Sequence, residues 1–338
     1  MPDGDSRMMP VPPSPSDCAP ERRSDGSRRA SMLLAGLSLW LLSVSFAGAA
    51  GWLDDRGTSV SQAAVVERLQ GTDVVLLGEI HDSPDVHARQ VELLEALGDA
   101  AQGPPVVLAM EQLDLEHREA LAGMDGREAV DGRAIAEAGA FDEAGWGWEH
   151  YGPLFSLAAE RGWPVRPINL SRERAREVVR GGAEWRLALS PDEVDVIERL
   201  APDLSLPDTR QEALIADLMQ VHCGDMDPAF ARRIARAQVA RDILMADAIL
   251  SIHEAFPESV VVAVMGNQHA RRDRGAGYWI DQLTDPADSG SRLRTVSIGM
   301  LPVTDDQISV FRNGITDRYD LRGLAKPDVE RPDPCEPD

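Results

Sequence analysis

Val74-Val75-Leu76-Leu77-Gly78-Glu79-Ile80-His81-Asp82-Ser83-Pro84-Asp85 is the stretch that decides the fold. Four apolar residues in succession, with no polar alternation, read as a short strand covered on both faces. Gly78 suits a tight backbone bend where a β-carbon would not fit. Ser83 is a good N-cap, Pro84 suits the first helical position, and Asp85 complements the helix dipole. The spacing predicts a helix to about Leu97, with Val86, Leu93, Leu94 and Leu97 inward. His81 therefore lies in a strand-to-helix turn, two residues after Glu79.

The same grammar recurs. Val106 to Met110 is an apolar run that ends in Glu111. Trp163 to Ile168, interrupted by prolines, ends in Asn169, with Ser171 placed to cap the next helix. Val260 to Met265 ends in Gly266-Asn267-Gln268-His269. Leu293 to Ile298 reads as a fifth strand without a polar end, and Gln307 to Phe311 as an edge strand. Such runs alternating with helices predict an α/β fold, a mostly parallel sheet covered by helices on both faces. Residues 176–235 are charged, poor in β-branched runs and broken at Gly181-Gly182 and Leu206-Pro207-Asp208, so they read as a small inserted all-helical domain. The α/β domain then comprises residues 52–175 and 236–325.

Ligands of parallel sheets bind beyond the carboxyl ends of the strands. Glu79, His81, Glu111, Asn169 and His269 should share that rim. Imidazole and carboxylate are ligands for a divalent zinc, manganese or iron ion, which makes His81, His269, Glu79 and Glu111 the candidate metal set. Glu79 or Glu111 beside a bound water would be the catalytic base of a hydrolase. The plainer alternative is a hydrogen-bonded plug at the sheet end. Gln238, Asp242 and Met245 share one helix face by their spacing. They either abut the rim or brace His269. His87 shares a face with Gln90 and Leu94 and lines the site on one reading. There is no HExxH, Walker loop or GxSxG.

Charge narrows the partners. Asp and Glu number 57 against 34 Lys and Arg, a formal net charge of -23. Residues 1–50 are balanced, so the excess sits on the remainder. An acidic surface of this kind excludes nucleic acid, whose phosphates need a basic patch. Three cysteines exclude a disulfide scaffold. Cys223 and Cys335 are the pair that an oxidising compartment would join. Residues 1–51 read as a proline-rich disordered start followed by a signal peptide. Its parts are Arg22, Arg23, Arg28 and Arg29, the apolar run Met32 to Phe46, and the small-residue cleavage site Ala47-Gly48-Ala49. This implies export to the periplasm or cell envelope, and Ser27 to Leu33 also resembles a twin-arginine signal. Residues 326–338 read as a solvated acidic tail.

Five ordered motifs resemble one family. Leu77 to Asp82 with His87 and Gln90, Met110-Glu111-Gln112, Trp148 to Leu154, Gln238/Asp242/Met245/Ala246, and Val264 to Ala270 are similar to motifs of the ChaN haem-binding uptake family of the Tiki superfamily. The likeness spans about Val74 to Trp279. It implies an α/β domain with a small helical domain, haem as cofactor, a tyrosine iron ligand, and subunits that pair around cofacial haems as a homodimer. Superfamily hydrolases imply the metal-dependent alternative through Glu79, His81, Glu111 and His269. No Cys follows the apolar run, so lipid attachment does not carry over. The single lysine, Lys326, leaves arginine to meet haem propionates. Six aromatic residues between Phe141 and Trp163 are suited to wall a flat macrocycle, or equally to a helix-packing core. Tyrosine is a haem ligand type. Tyr151 is the first choice, beside His150 and Trp148, and Tyr278 the second.

Overall fold

Val74 and Leu76 face one side of a sheet, and Val75 and Leu77 the other, and every one of them is buried. The computed structural model describes residues 51–100, 105–127, 129–207, 209–221, 223–284, 293–304 and 318–327. Its strands are β1 (Gly51–Asp54), β2 (Ser59–Val60), β3 (Val74–Glu79), β4 (Val106–Asp114), β5 (Val165–Asn169), β6 (Val260–Gly266), β7 (Thr295–Pro302) and β8 (Leu321–Ala325). They form one sheet in the order β2-β1-β8-β7-β3-β6-β4-β5. Pairing is parallel from β8 through β5 and antiparallel where β1 meets β2 and β8. The expected mostly parallel α/β sheet is therefore the observed one.

Period-two alternation divides the residues of the central strands between two cores. Val75, Leu77, Val106, Leu108, Val262 and Val264 pack against helices α1 (Gln62–Gln70), α2 (Pro84–Asp99), α4 (Gly132–Ala138) and α6 (Trp148–Arg161). Val74, Leu76, Val107, Ala109, Val261 and Ala263 pack on the other side. There they meet α7 (Arg172–Gly181), α8 (Pro191–Leu200), α9 (Thr209–Gln220), the long α10 (Pro228–Ala255) and α11 (Ala276–Leu283). The remaining short helices are α3 (Arg118–Ala122) and α5 (Glu143–Trp146). Among the described residues, no helix is long and apolar enough to cross a membrane.

Several local expectations need adjustment. Residues 176–235 are helical, yet Trp185, Ile197, Leu204 and Leu214 share the core of the sheet face rather than enclosing one of their own. The continuous α10 also runs through the boundary expected at 235. Strand β7 starts at Thr295 and continues four residues past Ile298. Strands β1, β2 and β8 were not anticipated. They are short and mixed in polarity, and their reason to exist is each other: fully buried Arg322 of β8 donates through Nη2 to the Asp54 carbonyl at 2.7 Å. Ser83 and Ser171 occupy N-cap positions, but neither caps with its side chain. Ser171 Oγ donates instead to Glu116, and Ser83 Oγ is buried without a partner. The expected signal peptide, the expected strand over Gln307 to Phe311, Cys335 and the residues beyond 327 lie outside the described residues.

Candidate functional site

The rim is built over β6, with β3 on one side and β4 on the other. Glu79, the last residue of β3, is in register with Gly266, the last of β6. Gly78 is required by a close approach. A β-carbon there would lie 2.3 Å from Asn267 Oδ1 and 2.8 Å from the Ile298 carbonyl. The Asn267 side chain crosses over Gly78 to bond both the amide and the carbonyl of Met300, at 3.0 and 2.7 Å. It thereby ties the end of β6 to β7. Beyond Met110 the β4–β5 ladder slips: Met110 pairs with Pro167, but Asp114 pairs with Asn169. Bulges of this kind re-aim side chains beside sites. Glu111 and Gln112 lie in the slipped segment.

Three imidazole or carboxylate groups meet above Gly266. A β-carbon on Gly266 would sit 3.5 Å from His81, 3.6 Å from Glu111 and 3.8 Å from His269. The rim residues read from the sequence are thus brought together. Their surroundings differ sharply. Glu111 is buried, takes the Gly266 amide at 2.7 Å and Arg241 Nη2 at 2.6 Å, and has His269 Nε2 at 3.4 Å. Burial would raise its pKa, but His269, Arg241 and the Gly266 amide together hold it down to about 2. Glu79 is equally buried, but among the described residues only histidines, His81 and His87, pair with it. Burial pushes its carboxyl up despite a close hydrogen bond from His81 Nδ1, and the Glu111 charge adds to the rise.

His269 is a braced residue. Its Nδ1 donates to buried Asp242 Oδ1 at 2.5 Å, and Gln238 Nε2 lies 3.1 Å away. Burial raises the Asp242 carboxyl, with His269 opposing. Of the two roles open to the Gln238/Asp242 face, the bracing one is realised. His87 is buried behind the rim, not in it. Its Nε2 donates to the His81 carbonyl at 3.0 Å, it stacks on His150 at 5.1 Å, and burial lowers its pKa. His81 is the open one, with a side chain 53% exposed. With Nδ1 committed to Glu79, its Nε2 is the free atom. Burial would lower its pKa, but the Glu79 hydrogen bond and charge raise it. Trp146 packs edge-on against it at 4.8 Å. Gly147, at φ +81°, makes the α5-to-α6 turn behind that indole.

Asn169 is at the rim and accepts Arg241 Nε at 3.0 Å. Arg241 itself was missed. It lies between two motif positions, Gln238 and Asp242, and an arginine on a charged helix carries no local sign of being the counter-ion of Glu111. The haem residues read from the sequence do not gather on one open wall. Tyr151 is fully buried, and its hydroxyl lies 3.5 Å from His81 Nδ1. Burial and the Glu79 and Glu111 charges raise its pKa far above the usual tyrosine value, which opposes a phenolate. Trp148 stacks on Phe155 and under Arg133, as helix packing. Tyr278 is on α11, against Trp279 and Arg210.

Of the rim, His81, Glu111, Asn169, Arg241 and His269 line a cleft of 380 Å³, together with Gln112, Trp146 and Arg172 among others. Gln112 is buried there, and among the described residues neither of its amide atoms has a hydrogen-bond partner. Among the described residues, no group of three or more His, Cys, Asp and Glu side chains is arranged to hold a metal ion. Of the expected set of four, Glu111 is already engaged by Arg241 and the Gly266 amide, Glu79 by His81, and His269 Nδ1 by Asp242.

The fold and rim define an α/β protein with a polar strand-end cleft. Residues 65–280 match the model of the haem-binding uptake family, Tiki superfamily, ChaN, and the chain belongs to that family. The resemblance read from the motifs is borne out. Among solved structures, ChaN of Campylobacter jejuni with cofacial haem is 18% identical, with a TM-score of 0.64 over 83% of this chain and 98% of that one. A mutant erythromycin esterase in its open conformation is 11% identical, with a TM-score of 0.43 over 82% and 99%. No curated protein matches the chain.

Proposed function

We propose that this protein is an exported haem-binding protein that serves haem or iron uptake, with His81 as the iron donor. Family membership supplies the haem. The observation that carries the donor is that half-exposed His81 lines the cleft with its Nδ1 held by buried Glu79, which leaves Nε2 for a ligand. A carboxylate behind an imidazole fixes its tautomer and raises its basicity as a ligand. Arg172 lines the same mouth and has no ion-pair partner among the described residues, so it is free to meet a propionate. The cleft is at the small end of the roughly 300–1,000 Å³ of ligand pockets. A macrocycle would lie across its mouth, and a second copy of the chain would cover the exposed face. Export rests on the signal peptide.

A haemin titration of the full chain followed in the Soret region tests this. Saturable binding is expected, His81→Ala should weaken it at least tenfold, and Glu79→Gln should weaken it about tenfold. Tyr151→Phe should leave the ligand type of the spectrum unchanged. A tyrosinate-like spectrum that survives His81→Ala would overturn the assignment.

One observation favours a second reading, a hydrolase that divides acid and base work between its rim carboxylates. Two buried carboxylates of one rim are pushed apart, Glu79 up and Glu111 down, which is how environments divide acid and base roles. Here Glu79 would be the proton-transfer group. Hydrolysis of a chromogenic ester, with and without added manganese or zinc, should then be detectable and fall at least a hundredfold in Glu79→Gln. No turnover under either condition would discard it.

A further inference from the structure

Helix α10 borders a second cleft. Its N-terminal half sends Gln238, Arg241 and Asp242 to the rim. Leu244 and Ile252, two turns apart on its C-terminal half, floor a cleft of 470 Å³ together with Leu115 and Phe256. Leu115, Leu244 and Ile252 are buried, so the floor is apolar. Asp247 lines the same cleft and makes no hydrogen bond or ion pair among the described residues, although it is only partly exposed. Burial in these surroundings raises its carboxyl above the usual range, even with Arg199 and Arg118 nearby.

The other charges around the cleft are mostly committed. Arg166 is paired with Asp125 and lies over the Phe256 ring. Glu193 is held by Arg174 and by the Ser190 amide. Arg118 uses Nε on the Leu115 carbonyl at 3.1 Å. Glu119 and Asp192 stand exposed at the edge with no ion pair among the described residues. Among the lining residues, removing the matched pairs leaves Arg118 against Glu119, Asp192 and Asp247; Arg199 and Glu254, which do not line the cleft, act on Asp247 in opposite senses. An apolar floor with an unmatched carboxylate on its wall is complementary to a cation that carries an apolar body.

We propose that this cleft is a binding site for a small amphiphilic cation, an alkyl or arylalkyl amine, whose ammonium pairs with Asp247 while its apolar body covers Leu244, Ile252 and Phe256. The site is separate from the haem reading and uses none of its residues.

The test compares three isosteric probes on the full chain by calorimetry and saturation-transfer NMR: 4-phenylbutylamine, 4-phenylbutanol and 4-phenylbutyrate. The amine should bind saturably, the alcohol at least tenfold more weakly, and the carboxylate not detectably. Asp247→Asn should weaken the amine at least tenfold and leave the alcohol unchanged, a ratio that a structural defect would not alter. Ala248→Phe, which fills the cleft, should abolish binding of both, and it carries the test if Asp247→Asn melts early. Equal binding of the three probes, absence of amine binding, or amine binding that survives Ala248→Phe would overturn the proposal.

Discussion

Arg241→Met should lower the stability of the folded protein by about 3 kcal/mol, at the low end of the cost of breaking a buried ion pair. Among the described residues Arg241 is the one arginine paired with Glu111, a carboxylate that is 2% exposed. Methionine keeps most of the volume but leaves the charge without its main counter-ion. The Gly266 amide and His269 remain, which is why the low end is expected. Asn169 also loses its bond from Arg241 Nε. For a domain of this size the loss should lower the melting temperature by roughly 6 °C. Removing the charge as well, in Arg241→Met/Glu111→Gln, should recover a large part of it, because the penalty is an unpaired charge and not a missing contact. A double variant no better than Arg241→Met would show that Arg241 acts through packing.

The second large effect is on acid stability. Glu111 has a folded-state pKa of about 2 against an ordinary value of 4.5. A depressed carboxylate contributes stability that is fully present above the unfolded value and is lost as pH falls through the folded one. The window is therefore about pH 4.5 down to 2. The contribution at neutral pH is about 3 kcal/mol, at roughly 1.4 kcal/mol per pH unit. Glu79 and Asp242 act in the opposite sense. Their folded-state values are raised, so the folded state gains relative stability as each is protonated on the way down. Denaturant melts of wild type and Glu111→Gln between pH 7 and 2.5 separate the terms. The wild type should be more stable at pH 7, and the difference should shrink steadily below pH 4.5. A constant difference across that range would show that Glu111 is not held down.

Reading strand ends from the chain found most of the rim. Apolar runs without alternation located β3, β4, β5 and β6. The polar residue after each run located Glu79, His81, Glu111, Asn169 and His269, because a parallel sheet delivers its strand ends to one edge. Helical spacing put Gln238 and Asp242 on one face, and the ordered motifs identified the family. The edge strands β1, β2 and β8 were not legible, since strands of two to five mixed residues carry no period. Nor was the separation of Tyr151, in a packed aromatic core, from Tyr278, which lies on α11 against Trp279 and Arg210.

What the amino-acid order determined by itself is therefore which residues reach the rim. Tertiary structure alone decided what each of them is there. Glu111 is a permanent anion because Arg241, 130 positions away, lies against it. The Glu79 carboxyl is pushed up instead, because the same burial comes without an arginine beside it. His269 is braced and buried while His81 is open, although both follow a Gly-x-x-His pattern, because only His269 has α10 packed beside it. Local patterns specify where a side chain emerges. Its charge and exposure depend on neighbours that only the folded chain brings within a few ångströms.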